Sequence, residues 1–475
     1  MKKVIFMIVM GIMVGLVTIN MIGTKGDNSV LSNGVIYENN TTVESALDTL
    51  YDSYATYLRQ QSIPSEVAPV ISGKLIPVSI SDGGTVTVVS QDNTYNEWYD
   101  YAHQKWANAV ILTSNATKSV GSTIDESEIE SYFVWIPKYR YKLWNTGTAS
   151  KNAHEIEVIF GDYDTNDSVA GECTTPMTSG ATGNCVNGDY MTHPAFLSLD
   201  VNGFWVGKFE TGFKGATSTA EAQTVENTDV TDASKVIIKP NVYSWRGITV
   251  GNAFKTSLAY QSSLNSHMMK NTEWGAVAIL SHSKYGIGRE VNINNNNQYI
   301  TGMSALPSTD QHTYPGTSGN GASYNNVYNT EIGYLASTTG NISGIYDMSG
   351  GAHEYMAAYK SGQLGSSGLT ASDISNNSAY IDMYSASSAV DTYQYRILGD
   401  ATGEMSPFKS FKDGDDTNRR HNSWYADYST FVDSSYPWFY RGGSYDSGVL
   451  AGQFLFSRNT GGTYSYIGFR LVLAP

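Results

Sequence analysis

Hydrophobic and polar positions divide the chain into segments of different texture. Met1-Lys2-Lys3 precedes an apolar run from Val4 to Val17, lightly interrupted by Thr18 and Asn20 and extended by Met21 and Ile22. Two lysines ahead of such a run read as a secretory signal. No small-x-small cleavage site precedes Lys25, so residues 1–24 are expected to be either a cleaved signal peptide or a retained membrane anchor. At about 19 residues the run is near the lower limit for a bilayer span. Residues 25–64 follow as a short stalk. Thr41 or Thr42 is placed to cap a helix in which Val43, Leu47, Leu50, Tyr51, Tyr54 and Leu58 recur at three- and four-residue steps. One stripe that short needs a partner, so residues 43–58 are expected to pair with another copy of the chain or to pack on the next domain.

Residues 65–94 alternate with period two on either side of Asp82-Gly83-Gly84. That pattern predicts a β-hairpin, read as a small connector. Residues 95–475 form the main domain. Trp98, Tyr99, Tyr101, Trp106 and Val110 predict an amphipathic helix, and strands are expected over 132–141 and 201–209. A second helix is predicted with Asn271 as cap, Glu273 in its first turn and Trp274, Val277 and Ala278 on one face, ending before Gly286. Long stretches at 292–297, 302–330 and 361–390 have no periodicity. The fold class expected is a loop-rich α+β domain with short strands and a few helices.

Composition narrows the function. Only 15% of the 475 residues are charged, 12% are aromatic and 34 are tyrosines. Lys and Arg number 29 against 44 Asp and Glu, giving a net charge of −15. That balance argues against nucleic acid and against anionic membrane surfaces as partners, since both require clustered cations. The two cysteines, Cys173 and Cys185, are expected to form one disulfide in an exported chain. Closing that loop would contribute roughly 3 kcal/mol on the chain-entropy account.

Three segments carry a family resemblance. They are the run Asn341 to Tyr355, which includes Ile345-Tyr346-Asp347-Met348-Ser349-Gly350-Gly351, then Arg441-Gly442-Gly443-Ser444, and finally Gly468-Phe469-Arg470. In order and spacing they resemble the formylglycine-generating enzyme (sulfatase-modifying factor) family. Phe133 to Pro137, Phe204 to Glu210 and Asn271 to Trp274 match its upstream pattern more weakly. The resemblance spans residues 95–475, and it implies a C-type-lectin-like fold. In that frame Gly350 and Gly351 suit a turn at positive φ. Asp347 and Glu354 are expected to accept hydrogen bonds from loop backbone, while Arg441 and Arg470 would be buried organisers offering five donors each.

Two departures bear on activity. The family's oxidase uses a cysteine pair between its last two motifs, and residues 444–467 contain no cysteine. Without thiolates there is no ligand set for copper and no thiol chemistry, so the chain is not expected to be an enzyme of that kind. His353 stands where the family has tryptophan and reads as a local hydrogen-bonding residue. The terminal segment 441–470 alternates Phe454 and Phe456 with Gln453, Leu455 and Ser457, and it carries Tyr445, Asp446, Ser447, Leu450, Arg458, Tyr464 and Tyr466. On a strand one set faces the core and the other faces solvent. Rigid rings mixed with adaptable polar groups are paratope chemistry. This layout resembles the variable proteins that retroelements diversify in phages and bacteria, which implies ligand binding without turnover.

The expected function is therefore a surface-displayed protein, secreted, membrane-anchored or virion-associated, that binds a protein or glycan on a cell surface. The ten residues Tyr445, Asp446, Ser447, Leu450, Gln453, Leu455, Ser457, Arg458, Tyr464 and Tyr466 form its expected face. Two rival readings are an oxidase or hydrolase on the same scaffold and a structural decoration protein. No cofactor is expected. A structural calcium remains open at residues 162–167 or 413–416, although the first run lacks the EF-hand Gly and Glu. No zincin, phosphate-loop, nucleophile-elbow or dinucleotide-binding motif occurs.

Overall fold

The structure, a computed structural model, describes residues 63–94, 96–144, 153–162, 173, 185, 188–224, 229–305, 326–385, 397–405 and 423–475, and the backbone of 36–37 and 41–42. The apolar run 1–22, the helix expected over 43–58 and most of both acidic loops lie outside the described residues. By contacts the chain divides into two units, residues 1–61 and 62–475. In the first, Ile36–Tyr37 pairs antiparallel with Thr41–Thr42. Among the described residues no helix is long and apolar enough to cross a membrane.

Two large sheets carry the second unit, beside one three-stranded and two two-stranded sheets. The strands of the two large sheets, in chain order, are β1 (Ile76–Ile80), β2 (Val86–Val88), β3 (Asn108–Leu112), β4 (Thr123–Ile124), β5 (Ile129–Pro137), β6 (Gly203–Gly207), β7 (His267–Met268), β8 (His353–Lys360), β9 (Asp382–Tyr384), β10 (Trp438–Gly442), β11 (Gly452–Asn459), β12 (Ile467–Phe469) and β13 (Leu471–Leu473). One sheet is wholly antiparallel with the order β7-β13-β6-β5-β3-β1-β2-β4. The second runs β9-β8-β10-β11, with β12 parallel to the start of β8. The architecture is thus α+β, mostly sheet and rich in loops.

Strand alternation explains why the first sheet is buried on both sides. Phe133 and Trp135 of β5 join one apolar cluster, and Val134 and Ile136 join the other. The same split places Trp205 of β6 opposite Phe204 and Val206. A strand covered on both faces shows an unbroken apolar run rather than an alternating one, which is how β5 and β6 stand out in the sequence. The hairpin expected at Asp82-Gly83-Gly84 joins β1 to β2, pairing Val78 with Val88. Residues 65–94 are nevertheless not a separate connector, because β1 also pairs with β3 inside the main sheet.

The helix expected around Trp98 is absent. Residues 101–103 form a single 3-10 turn before β3. The Asn93 side chain organises this loop, accepting from the Trp98 and Tyr99 N–H groups and donating to the Tyr99 carbonyl. Trp98 belongs to one core cluster while Tyr101 and Trp106 belong to the other. An apolar stripe whose members serve opposite sides of a sheet cannot be one helix face.

Three α-helices occur among the described residues: α1 (Val250–Tyr260), α2 (Asn271–Ser281) and α3 (Ala371–Asn376). The predicted helix α2 is present, but Asn271 is its first residue rather than its cap. The Glu273 carboxylate instead accepts the Lys270 N–H at 2.8 Å. Glu273 through Ser281 are all buried, so α2 is a central helix with no solvent face. Cys173 and Cys185 form the expected disulfide.

A buried polar knot joins these parts. Arg470 donates from Nε and Nη2 to both oxygens of Glu354 at 2.9 and 2.5 Å, and to the carbonyls of Gly207 and Tyr346 at 2.8 and 3.0 Å. Asp347 accepts the Gly302 N–H at 2.9 Å and the Asn294 amide at 2.8 Å, as expected of a loop acceptor. Glu354 departs from that expectation by pairing with the guanidinium. Glu210 accepts the Ala352 N–H at 2.8 Å. Burial, reinforced by the charges of Asp347 and Glu354, pushes the Glu210 carboxyl well above its usual range. Three buried carboxyl groups gather around the Arg470 guanidinium, and among the described residues Glu354 is the one hydrogen-bonded to it.

This assigns the two glutamates different sensitivities. Glu354→Gln should cost about 3–5 kcal/mol, because it breaks the doubly hydrogen-bonded carboxylate–guanidinium pair in the core. Glu210→Gln, which keeps an acceptor for the Ala352 N–H and takes one negative charge out of a crowded carboxyl site, should cost no more than about 1 kcal/mol. Urea unfolding of both variants checks this, and equal losses would contradict the different sensitivities.

Candidate functional site

The turn Gly350-Gly351 sets the geometry of the candidate face. Both glycines have positive φ, at 80° and 66°. A Cβ on Gly350 would lie 2.3 Å from the Asn294 carbonyl oxygen, and one on Gly351 the same distance from Glu210 Oε1. The strand leaving this turn is flanked on both sides by the terminal segment. The Tyr445 N–H donates to the Gly351 carbonyl at 2.9 Å, and the His353 N–H donates to the Tyr466 carbonyl at 3.0 Å.

Aromatic rings then run outward from His353. Its ring lies 4.6 Å from that of Tyr440 and 5.7 Å from that of Tyr466, and Tyr464 and Tyr466 are 5.6 Å apart. Tyr445 meets Tyr299 edge to face at 5.0 Å. Beneath Tyr299 lies the buried Arg246, its guanidinium carbon 3.8 Å from the ring centroid. Arg246 also bonds the Ser465 carbonyl and both oxygens of Thr219. One guanidinium therefore fixes Tyr299 and the turn carrying Tyr464 and Tyr466. Asp446, exposed, accepts from the Ser444 hydroxyl. At the far end Arg458 pairs with Asp433 and lies over Tyr436, which is 46% exposed.

Of the ten expected face residues, Asp446 and Tyr466 are exposed, and Tyr445, Ser447, Leu450, Arg458 and Tyr464 are half-buried. Gln453, Leu455 and Ser457 do not face solvent: they are only 2%, 2% and 3% exposed. Alternation along β11 assumed one wet side, and both sides are covered. Gln453 reaches the Ser281 hydroxyl at the end of α2, and its carbonyl accepts the Trp274 indole N–H. Leu455 packs so near Gly443 that a Cβ there would lie 3.3 Å from its methyl carbon. A segment through Tyr428, Ser429 and Thr430 bonds the backbone of Phe456.

Arg441 is fully buried and donates to Asn271 Oδ1 at 2.7 Å, to the Leu455 carbonyl at 3.3 Å and to the Asp400 carbonyl. It therefore anchors β10 to α2 and β11. Trp424 and Trp438 are core, while Tyr425 and Tyr440 are half-buried. Tyr299 and Arg246 were not expected. Arg246 lies 219 residues from the carbonyl it holds, and no local pattern marks such a pair. A weak signal for Tyr299 is the Asn-rich run before it. Asn294 and Asn296 bond neighbouring backbone and so shape the loop that presents the ring.

No family model matches the chain, and no curated protein sequence matches it. Among solved structures it is similar to one named "Major Tropism Determinant I1 Variant", at 11% identity, covering 86% of this chain and 96% of that chain with a TM-score of 0.26. A likeness that distant carries nothing about the ligand.

His353 has a measurable consequence. Burial pushes its pKa down to about 4, and the negative charge of Asp446 opposes the shift. An unfolded histidine titrates near 6.5. The stabilisation from the neutral ring is therefore complete above about 6.5 and is lost as pH falls towards 4. Ring shifts followed by NMR should give a midpoint near 4 for His353, and His353→Gln should remove this part of the acid sensitivity. A midpoint near 6.5 would contradict the placement of the ring.

Proposed function

We propose that the protein is a surface-displayed ligand-binding protein, with a lectin-type domain of the kind retroelements diversify, acting without turnover. Its recognition face is the aromatic band built on Tyr445, Tyr464 and Tyr466, with Asp446, Ser447, Leu450 and Arg458 beside them. Tyr299, Tyr440 and His353 complete the band from outside the terminal segment. The ligand is a protein or glycan on a cell surface, and the protein works outside the cell or on a virion.

One observation carries this reading: frame and face are separate within 441–470. Arg441, Phe454, Phe456, Phe469 and Arg470 are buried, while the tyrosines and Asp446 between them reach solvent. Tyrosine supplies contact area at low entropic cost. Rings braced by one another and by Arg246 lose still less freedom on binding. Gln453, Leu455 and Ser457 belong to the frame in this reading.

Replacing Tyr445, Tyr464 and Tyr466 together with serine should weaken binding to host-cell surfaces or to a glycan array at least about 30-fold, the loss of one strong anchor. The midpoint of thermal unfolding should hold within a few degrees. Unchanged binding would remove these residues from the face. A neighbouring reverse-transcriptase gene with an imperfect copy of codons 441–470 would support the diversified reading independently.

A further inference from the structure

Resting on that face, we infer that Arg246 is a positioning residue that couples its two halves, holding the Tyr299–Tyr445 side and the turn carrying Tyr464 and Tyr466 in one geometry. Its guanidinium is used in two ways at once. From its edge, Nη1 donates to the Ser465 carbonyl, and Nη2 donates to the Thr219 carbonyl and hydroxyl at 2.8 and 2.7 Å. Against its face lies the Tyr299 ring, with the centroid 3.8 Å from the guanidinium carbon. Tyr299 in turn meets Tyr445 edge to face. A planar fork can bond at its rim and stack on its face together, which a compact ammonium cannot do. The backbone extends the grip: the Arg246 N–H donates to the Ala222 carbonyl and the Gly247 N–H to the Tyr464 carbonyl, each at 3.0 Å.

The ring contact is strong enough to transmit a change. Arg246 is 1% exposed, and its Nε has no partner among the described residues. No carboxylate among the described residues forms an ion pair with it. Burial lowers its pKa to about 10, so the group keeps its charge at neutral pH. A desolvated cation bonded to neutral oxygens gains most from an electron-rich ring face. Tyr299 holds φ at 57°, a left-handed conformation that is rare for a bulky side chain and persists only where the surroundings impose it. Neither Tyr464 nor Tyr466 makes a ring contact with Tyr299 among the described residues, so the guanidinium links the two halves. The other route, from Tyr445 through Gly351 and His353 to Tyr466, follows backbone hydrogen bonds that do not use the Tyr299 ring. Arg246 is out of a partner's reach, so its contribution to binding passes through the rings that it places.

The test uses the full-length protein with tyrosine rings labelled with carbon-13, the fully buried Tyr139 serving as a reference for the fold. Tyr299→Leu should displace the Tyr464 and Tyr466 ring signals and leave that of Tyr139 in place. In an Arg246→Lys background those two signals should start displaced and no longer respond to Tyr299→Leu, the non-additivity of groups that act through one another. Arg246→Lys should also weaken binding to host-cell surfaces about tenfold, because rings that are no longer held must be ordered on binding. Tyr464 and Tyr466 signals that ignore Tyr299→Leu would overturn the coupling, whether or not Arg246→Lys folds. An equal response in the Arg246→Lys background would overturn it too. Should the ring signals couple as described while Arg246→Lys binds cells as well as the parent, the coupling stands and the recognition face falls.

Discussion

The fold depends on how two buried guanidinium groups satisfy a chain with little regular structure. Long loops bury carbonyls that no sheet pairs, and each unpaired one costs free energy. Arg470 answers by binding Glu354 through two hydrogen bonds while holding the carbonyls of Gly207 and Tyr346. It draws together the end of β6, the start of β8 and the loop that carries Asp347. Arg441 joins β10 to α2, β11 and the Asp400 loop in the same way. A lysine has one compact charge and no planar fork, so it could not replace either.

This framework leaves the surface between its anchors open to change. Arg441 and Arg470 bracket the terminal segment, and apart from Leu455 the residues that bond to their guanidinium groups lie at least 41 residues away in the chain. The rings of Tyr445 and Tyr466 meet other rings of the band rather than the polar knot, while Tyr464 also packs against the apolar core. Their positions are set by backbone bonds to Gly351 and His353 and by Arg246 gripping Ser465. Backbone and buried groups thus orient side chains whose identity the fold does not specify.

Much of this was legible in the sequence where a pattern has a local cause. The apolar runs of β5 and β6, the Asp-Gly-Gly hairpin and the helix after Lys270 follow from residue types at short range, while the buried places of Arg441 and Arg470 were implied by the motifs that carry the family resemblance. The segment from Trp98 to Val110 misled because helical spacing does not say that its rings serve opposite cores. Helix α1 was missed because small residues dilute its stripe; Gly251 is there since a Cβ would lie 2.4 Å from the Ser367 carbonyl oxygen. Alternation correctly buried Phe454 and Phe456 but wrongly exposed Gln453, Leu455 and Ser457, since nothing local reveals that α2 and the 428–430 segment cover the other side. Tyr299 and Arg246 lie in other parts of the sequence, so only the tertiary structure brings them to the face.

The central claim is that frame and face are separable, and a library tests it most directly. Tyr445, Asp446, Ser447, Leu450, Tyr464 and Tyr466 are randomised together while every buried partner is kept, and the thermal midpoint of each folded member is measured beside its ligand preference. The account requires midpoints clustered within a few degrees of the parent, with binding that differs from member to member. Midpoints that fall as far as those of variants at Arg441 or Glu354 would contradict it, since the rings would then be part of what holds the fold together.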